Sequence, residues 1–149
     1  MIHQIYSNLT DTLFSVELSG FLQSQNLPPV KHFDLYEKQP FREANEIAYE
    51  LPAIFAEIKL VQSRKNAGLQ ELTYSLRLHL EQKILGSTAQ NSHNQAETIK
   101  HVQFTDFLER FLSKKHPQWE LKGVVLDQRG KNNPVHIIEY TITFNRRNC

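Results

Sequence analysis

Three residues of this chain have the types and spacing for metal-assisted hydrolysis. Asp34 lies on one alternating segment, and Glu57 and Lys59 lie two apart on the next. Residues two apart on a strand share a face, so Glu57 and Lys59 would project side by side. Carboxylates placed like this hold a divalent cation, and the ammonium helps position or activate water. The simpler reading is an acid and a base on the solvated face of a sheet. Other chemistries leave no pattern. The five glycines build no phosphate loop, and no Gly-x-Ser-x-Gly elbow occurs. Cys149 is the one cysteine and ends the chain, a poor seat for a nucleophile that must be held against a base. The seven histidines (His3, His32, His79, His93, His101, His116 and His136) are scattered, without the spacing of a helical metal site. No catalytic residue, cofactor or resident metal is assigned beyond the Asp34–Glu57–Lys59 alternative.

These residues must be positioned by the elements that carry them. Residues 52–63 alternate as a strand, with Ile54, Ala56, Ile58 and Leu60 on one side and Phe55, Glu57, Lys59 and Val61 on the other. Asn66 and Gly68 suit a turn. Residues 69–82 give the clearest strand: Leu72, Tyr74, Leu76, Leu78 and Leu80 face a core, while Thr73, Ser75, Arg77, His79 and Glu81 face away. Upstream, residues 2–15 have the apolar spacing of an amphipathic helix that could run on to Phe21, with Gly20 as a weak point. Residues 26–30 break it with two prolines. Residues 30–37 alternate as a strand near a sheet edge, and residues 38–50 read as a loop or one helical turn. Residues 86–98 are a polar loop. A second helix is expected over residues 96–115, with Ile99, Val102, Phe107, Leu108, Phe111 and Leu112 on its core face and Pro117 ending it. Strands over 121–127 and 136–145 close the chain, the last with Ile138, Tyr140, Ile142 and Phe144 inward. The expected class is α+β in one domain: a mostly antiparallel sheet with a long central hairpin, flanked by two amphipathic helices.

Composition narrows the function. With 149 residues, 40% hydrophobic and 22% charged, the chain can bury a core without staples. Lys and Arg number 17 against 16 Asp and Glu, a formal net charge of +1. A protein whose main task is gripping nucleic acid carries a stronger basic bias. The basic clusters at 63–65, 114–115 and 145–148 could meet phosphate but more often mark solvated turns and ends. No membrane span or signal peptide is expected, which points to a soluble protein of the cytoplasm or of an assembly formed there. The charged face of the hairpin carries Glu57 and Glu81 with Lys59 and Arg77. Its mixed signs suit pairing with a copy of itself better than a nucleic-acid groove; a small binding module that meets a protein partner through this face is a further alternative.

Two resemblances bear on this face. An acidic residue followed by Glu-x-Lys on the next strand is similar to the pattern of restriction-nuclease-like enzymes. More of the chain resembles the tail terminator (tail completion) proteins of long-tailed bacteriophages. The resemblance rests on an N-terminal amphipathic helix, the strand opening Pro52-Ala53-Ile54-Phe55, its partner over residues 69–82, the helix FTDFLERFL and a last strand pair ending in EYTITFN. It implies a virion protein of the tail or neck, assembled in the host cytoplasm, without catalytic residues. It implies a ring, usually hexameric, that caps the tail tube and joins it to the head connector, with DNA passing through but not specifically bound. The candidate subunit or partner contacts are then Glu57, Lys59, Arg64, Lys65, Arg77, His79 and Glu81.

Overall fold

The first helix stops where the chain supplies a cap for the next. α1 (Ile2–Leu13) buries Ile5, Leu9, Thr12 and Leu13, one stripe of a helix lying on a core. Ser15 then caps α2 (Val16–Ser24). Its Oγ accepts from the Leu18 amide at 3.2 Å and donates to the Thr12 carbonyl at 2.7 Å. The single helix expected to run on toward Phe21 is therefore two, and the break falls at Phe14 and Ser15 rather than at Gly20. α2 ends with Asn26 in the left-handed region, φ 57. The Leu27 amide reaches the Leu22 carbonyl at 2.9 Å and the Asn26 amide reaches that of Gln23 at 3.0 Å, a Schellman closure. Pro28 and Pro29 cannot continue the helix.

The computed structural model describes residues 1–41, 49–82, 95–127 and 133–147. β1 (His32–Leu35) runs parallel to β2 (Ala53–Asn66), with a 3-10 turn at Gln39–Phe41 between them. β2 pairs antiparallel with β3 (Leu69–Glu81). Ala67 and Gly68 turn the chain between them with φ 47 and φ 84, the two left-handed positions of a tight hairpin loop. α3 (Gln95–Lys115), β4 (Glu120–Asp127) and β5 (Val135–Arg147) follow. The sheet order is β1-β2-β3-β5-β4. One parallel pair in an otherwise antiparallel sheet, with helices segregated from it, makes the fold α+β. Much of the polar loop expected at 86–98 lies outside the described residues, as do residues 42–48 of the ambiguous 38–50 stretch and 128–132 of the last connection; from Gln95 the chain is already helical.

All three helices described pack on one face of the sheet. Leu72, Tyr74, Leu76, Leu78 and Leu80 of β3 meet Ile54 and Ala56 of β2 and Ile138, Tyr140 and Ile142 of β5 on that face, under Leu9, Leu18, Leu22, Phe104, Leu108 and Leu112. Ile99 and Val102, expected inward, are 55% and 53% exposed. The buried stripe of α3 is Phe104, Leu108 and Leu112, and Val102 lies roughly 200° around the helix from Phe104. The turn after α3 is fastened by stacked rings. Thr12 Oγ1 and His116 Nε2 hydrogen-bond at 3.0 Å, His116 stacks on Trp119 at 4.0 Å, and Trp119 meets Tyr140 edge-on. The Tyr140 hydroxyl donates to the Glu109 carbonyl, and burial pushes its phenol up to about 12.

Candidate functional site

The helix-free face of the sheet carries most of the residues singled out from the sequence. Strand register arranges it as rows of one residue each from β2, β3 and β5. In order these are Ala53–Glu81–Val135, Phe55–His79–Ile137, Glu57–Arg77–Glu139, Lys59–Ser75–Thr141, Gln62–Thr73–Thr143 and Arg64–Glu71–Asn145. The step from Lys59 to Gln62 reflects a bulge between Leu60 and Gln62. A bulge reverses which side chains face which way. Arg64 therefore lies on the helix-free side and Lys65 on the other.

The first two rows are buried, which corrects one expectation. His79 and Glu81, read as members of an exposed charged face, are 2% and 1% exposed. The Tyr36 ring stacks on the His79 imidazole with centroids 3.8 Å apart. The Tyr49 hydroxyl donates to Glu81 Oε1 at 2.6 Å, and Asn133 Nδ2 donates to Oε2 at 2.8 Å. Phe55, under Tyr49, completes the cover. Alternation places these residues on the correct face, but side chains distant in sequence shield them from solvent. Neither residue is available to a partner.

The third row is a charge cluster. Glu57 lies 3.5 Å from Arg77 Nη1 and 3.5 Å from Lys59 Nζ, and Arg77 Nε lies 3.7 Å from Glu139. His79 Nε2 is also 3.5 Å from Glu57 Oε1, beyond good hydrogen-bond length. Among the described residues neither ring nitrogen of His79 has a hydrogen-bond partner. Burial holds the His79 pKa below its usual value, Glu57 pulls it up and Arg77 adds to the lowering, so the ring is neutral at neutral pH.

This arrangement is a poor fit for a nuclease metal site. Asp34 sits on β1 level with Phe55, on the same face as Glu57 and Lys59. It is exposed, and its Oδ1 accepts from the Leu35 amide at 2.7 Å. The Glu57 carboxylate already lies between two cations, which would repel a divalent ion. Among the described residues no three His, Cys, Asp or Glu side chains are grouped to hold a metal.

Beyond the charged row the face is hydroxyl-rich, with Ser75, Thr141, Thr73 and Thr143 beside the one charge of Lys59. It ends at the hairpin tip, where Arg64, and Lys65 on the reverse face, are exposed. The pair at 114–115 lies elsewhere, lining a groove between α2 and α3 with Glu17, Phe21, Arg110 and Phe111.

The local pattern of β4 does not reveal its place in the sheet. β4 is an edge strand, and Leu121, Val124, Val125 and Leu126 are 43%, 44%, 55% and 51% exposed. Their side chains emerge on both faces: Val125 on the helix-free side, Val124 and Leu126 on the other. The opposite edge is guarded. β1 has four residues, prolines precede it, and Gln39 Nε2 donates to the Leu35 carbonyl at 2.8 Å. The signal in the sequence was the uncharged run Val124-Val125-Leu126, which reads equally as a core strand.

No helix among the described residues is long and apolar enough to cross a membrane. No protein-family model matches the chain, and no curated protein matches it significantly.

Proposed function

We propose that this chain is a structural protein that self-associates into a closed ring and serves as a tail terminator of a phage or phage-like particle. The observation that carries the self-association is the β4 edge. It has no paired strand on its outer side among the described residues, and it carries four half-exposed apolar side chains on both faces. Such an edge invites another strand. Because the β1 edge is guarded, β4 meets a different surface of the neighbouring copy. Head-to-tail contacts of that kind close into rings when the rotation allows. The resemblance carried by Pro52-Ala53-Ile54-Phe55 and the order of elements names the ring: six subunits, seated between tail tube and head connector in the virion neck.

Of the contacts expected from sequence, Glu57, Lys59, Arg64, Lys65 and Arg77 reach the surface. In this reading the hydroxyl-rich rows and the charged row form the face turned to a neighbour or to the passage for DNA. Catalysis has no part in it. The test is the mass of the purified chain over a concentration series, with negative-stain images of any large species and of the chain added to tail tubes. Closed rings, free or on tube ends, are expected. A monomer at every concentration that also leaves tube ends bare overturns the proposal.

A further inference from the structure

We infer that the distal end of the sheet is a contact arm for the sugar–phosphate backbone of duplex DNA. The inference does not require the ring, because every residue it uses belongs to one copy. The helical layer stops short of this end, and every residue from Lys59 to Leu69 is exposed. Here β2, β3 and the end of β5 stand free in solvent as a three-stranded tongue.

Strand register gathers two basic segments far apart in sequence. Lys65 pairs with Gln70, and Gln70 pairs with Arg146, in one row. Arg64 lies level with Glu71 and Asn145 on the reverse face. Positive charge therefore flanks the tongue on both sides, with Glu71 as the acidic residue among them, in a chain whose formal net charge is only +1. The guanidinium groups are held in place. Arg146 Nε donates to Gln70 Oε1 at 2.8 Å, and Gln70 Nε2 donates to Ser63 Oγ at 3.0 Å. With its amide oxygen turned toward Arg64, Gln62 accepts from Nε and Nη2 at 2.8 Å.

Arginine and lysine set among amide and hydroxyl side chains are the groups that contact phosphate and sugar. The tip, residues 61–70, has no aromatic side chain on which an unpaired base could stack, which favours duplex over single strands. Positive charge on a solvent-surrounded tongue also meets phosphates without desolvating a pocket. The contact is weak and independent of sequence, suited to DNA that moves past it.

The test is fluorescence anisotropy of a labelled short duplex of mixed sequence, titrated with the full chain at several salt concentrations. Three or four phosphate contacts give a log–log salt slope of about −2.7 to −3.6, so affinity falls roughly 40- to 150-fold between 50 and 200 mM salt. R64E/K65E is expected to weaken binding at least tenfold at the lower salt and to flatten the slope by about two. K114E/K115E makes the same change in charge on the helix side and is expected to leave both unchanged. Unfolding midpoints check that both variants fold. Absence of duplex binding at 50 mM salt overturns the inference, as does equal loss in the two variants. Polyglutamate bound as tightly as duplex at equal charge makes the arm a site for acidic protein and also overturns it. Mass is recorded in the same buffer. A chain that binds duplex but stays monomeric at every concentration and leaves tube ends bare overturns the ring and spares the arm; a ring that ignores duplex does the reverse.

Discussion

His79 is the residue whose environment departs furthest from what its position in the chain suggests. It lies at an outward position of β3, yet Tyr36 covers it and neither ring nitrogen has a hydrogen-bond partner among the described residues. The groups facing it are Glu57 on β2, Arg77 on β3, Asp127 on β4 and the Tyr36 ring. Burial lowers its pKa, and burial also lowers those of His116, beside Lys115, and His136, near His101. The sign of the pH effect follows. The unfolded chain takes up protons near pH 6.5, and the folded chain resists them until lower pH. Stability is therefore full above about pH 6.5 and is lost as pH falls through the lowered folded values. The thermal midpoint should drop between pH 7 and 5. His79→Leu places an apolar side chain against Tyr36, Phe55 and Ile137 and should make that drop shallower. Identical pH profiles for the two proteins would rule out His79 as a contributor. The charged face was legible in part for the same reason that His79 was misread. Alternation reveals which way a side chain points, whereas its cover comes from Tyr36 and Tyr49, which no local pattern connects to it.

At the scale of elements, local rules account for most of what could be read in advance. The run Leu72, Tyr74, Leu76, Leu78 and Leu80 defines β3 because a period of two has no competing explanation over that length. The break between α1 and α2 was harder to see, because the apolar spacing continues across it while one hydroxyl decides the matter. Ser15→Ala should cost about 1 kcal/mol, seen as a lower urea midpoint at unchanged m-value. An unchanged midpoint would mean that the cap contributes nothing. The parallel pairing of β1 with β2 has no sequence signal at all, since parallel and antiparallel edge strands alternate alike. The hairpin loop carries an internal conflict. Gly68 suits its φ of 84, but Ala67 sits at φ 47, where a Cβ is unfavourable. Ala67→Asn should increase amide exchange protection over residues 62–72, and Gly68→Ala should reduce it roughly fivefold, about 1 kcal/mol. Both substitutions shifting protection in the same direction would contradict this account of the turn.

For the whole molecule, the two sheet edges and the two sheet faces are unequal, and that inequality argues for assembly. Helices bury one face. The other runs from a covered end through a charged row to hydroxyl rows and a basic tip. One edge is short and its last carbonyl is occupied by Gln39; the other presents Val124, Val125 and Leu126 with no strand beside them among the described residues. The start of β4 has the ordinary defences, the exposed Glu120–Lys122 pair and a bulge between Leu121 and Gly123, but its run Val124-Val125-Leu126 has neither charge nor proline. Val125→Lys supplies that defence. Val125 is 55% exposed on the helix-free side, so a lysine there reaches solvent in the single chain but must be buried once a neighbour's strand covers the edge. The variant is expected to keep the parent's thermal midpoint and to fall to monomer mass. Leu35→Lys, at the guarded edge and 44% exposed, adds the same charge and is expected to leave the mass of the assembly unchanged. Loss of assembly in Leu35→Lys but not in Val125→Lys would transfer the contact to the β1 edge. Equal loss in both would point to net charge rather than to either edge, and the case for β4 as the joining strand would fail.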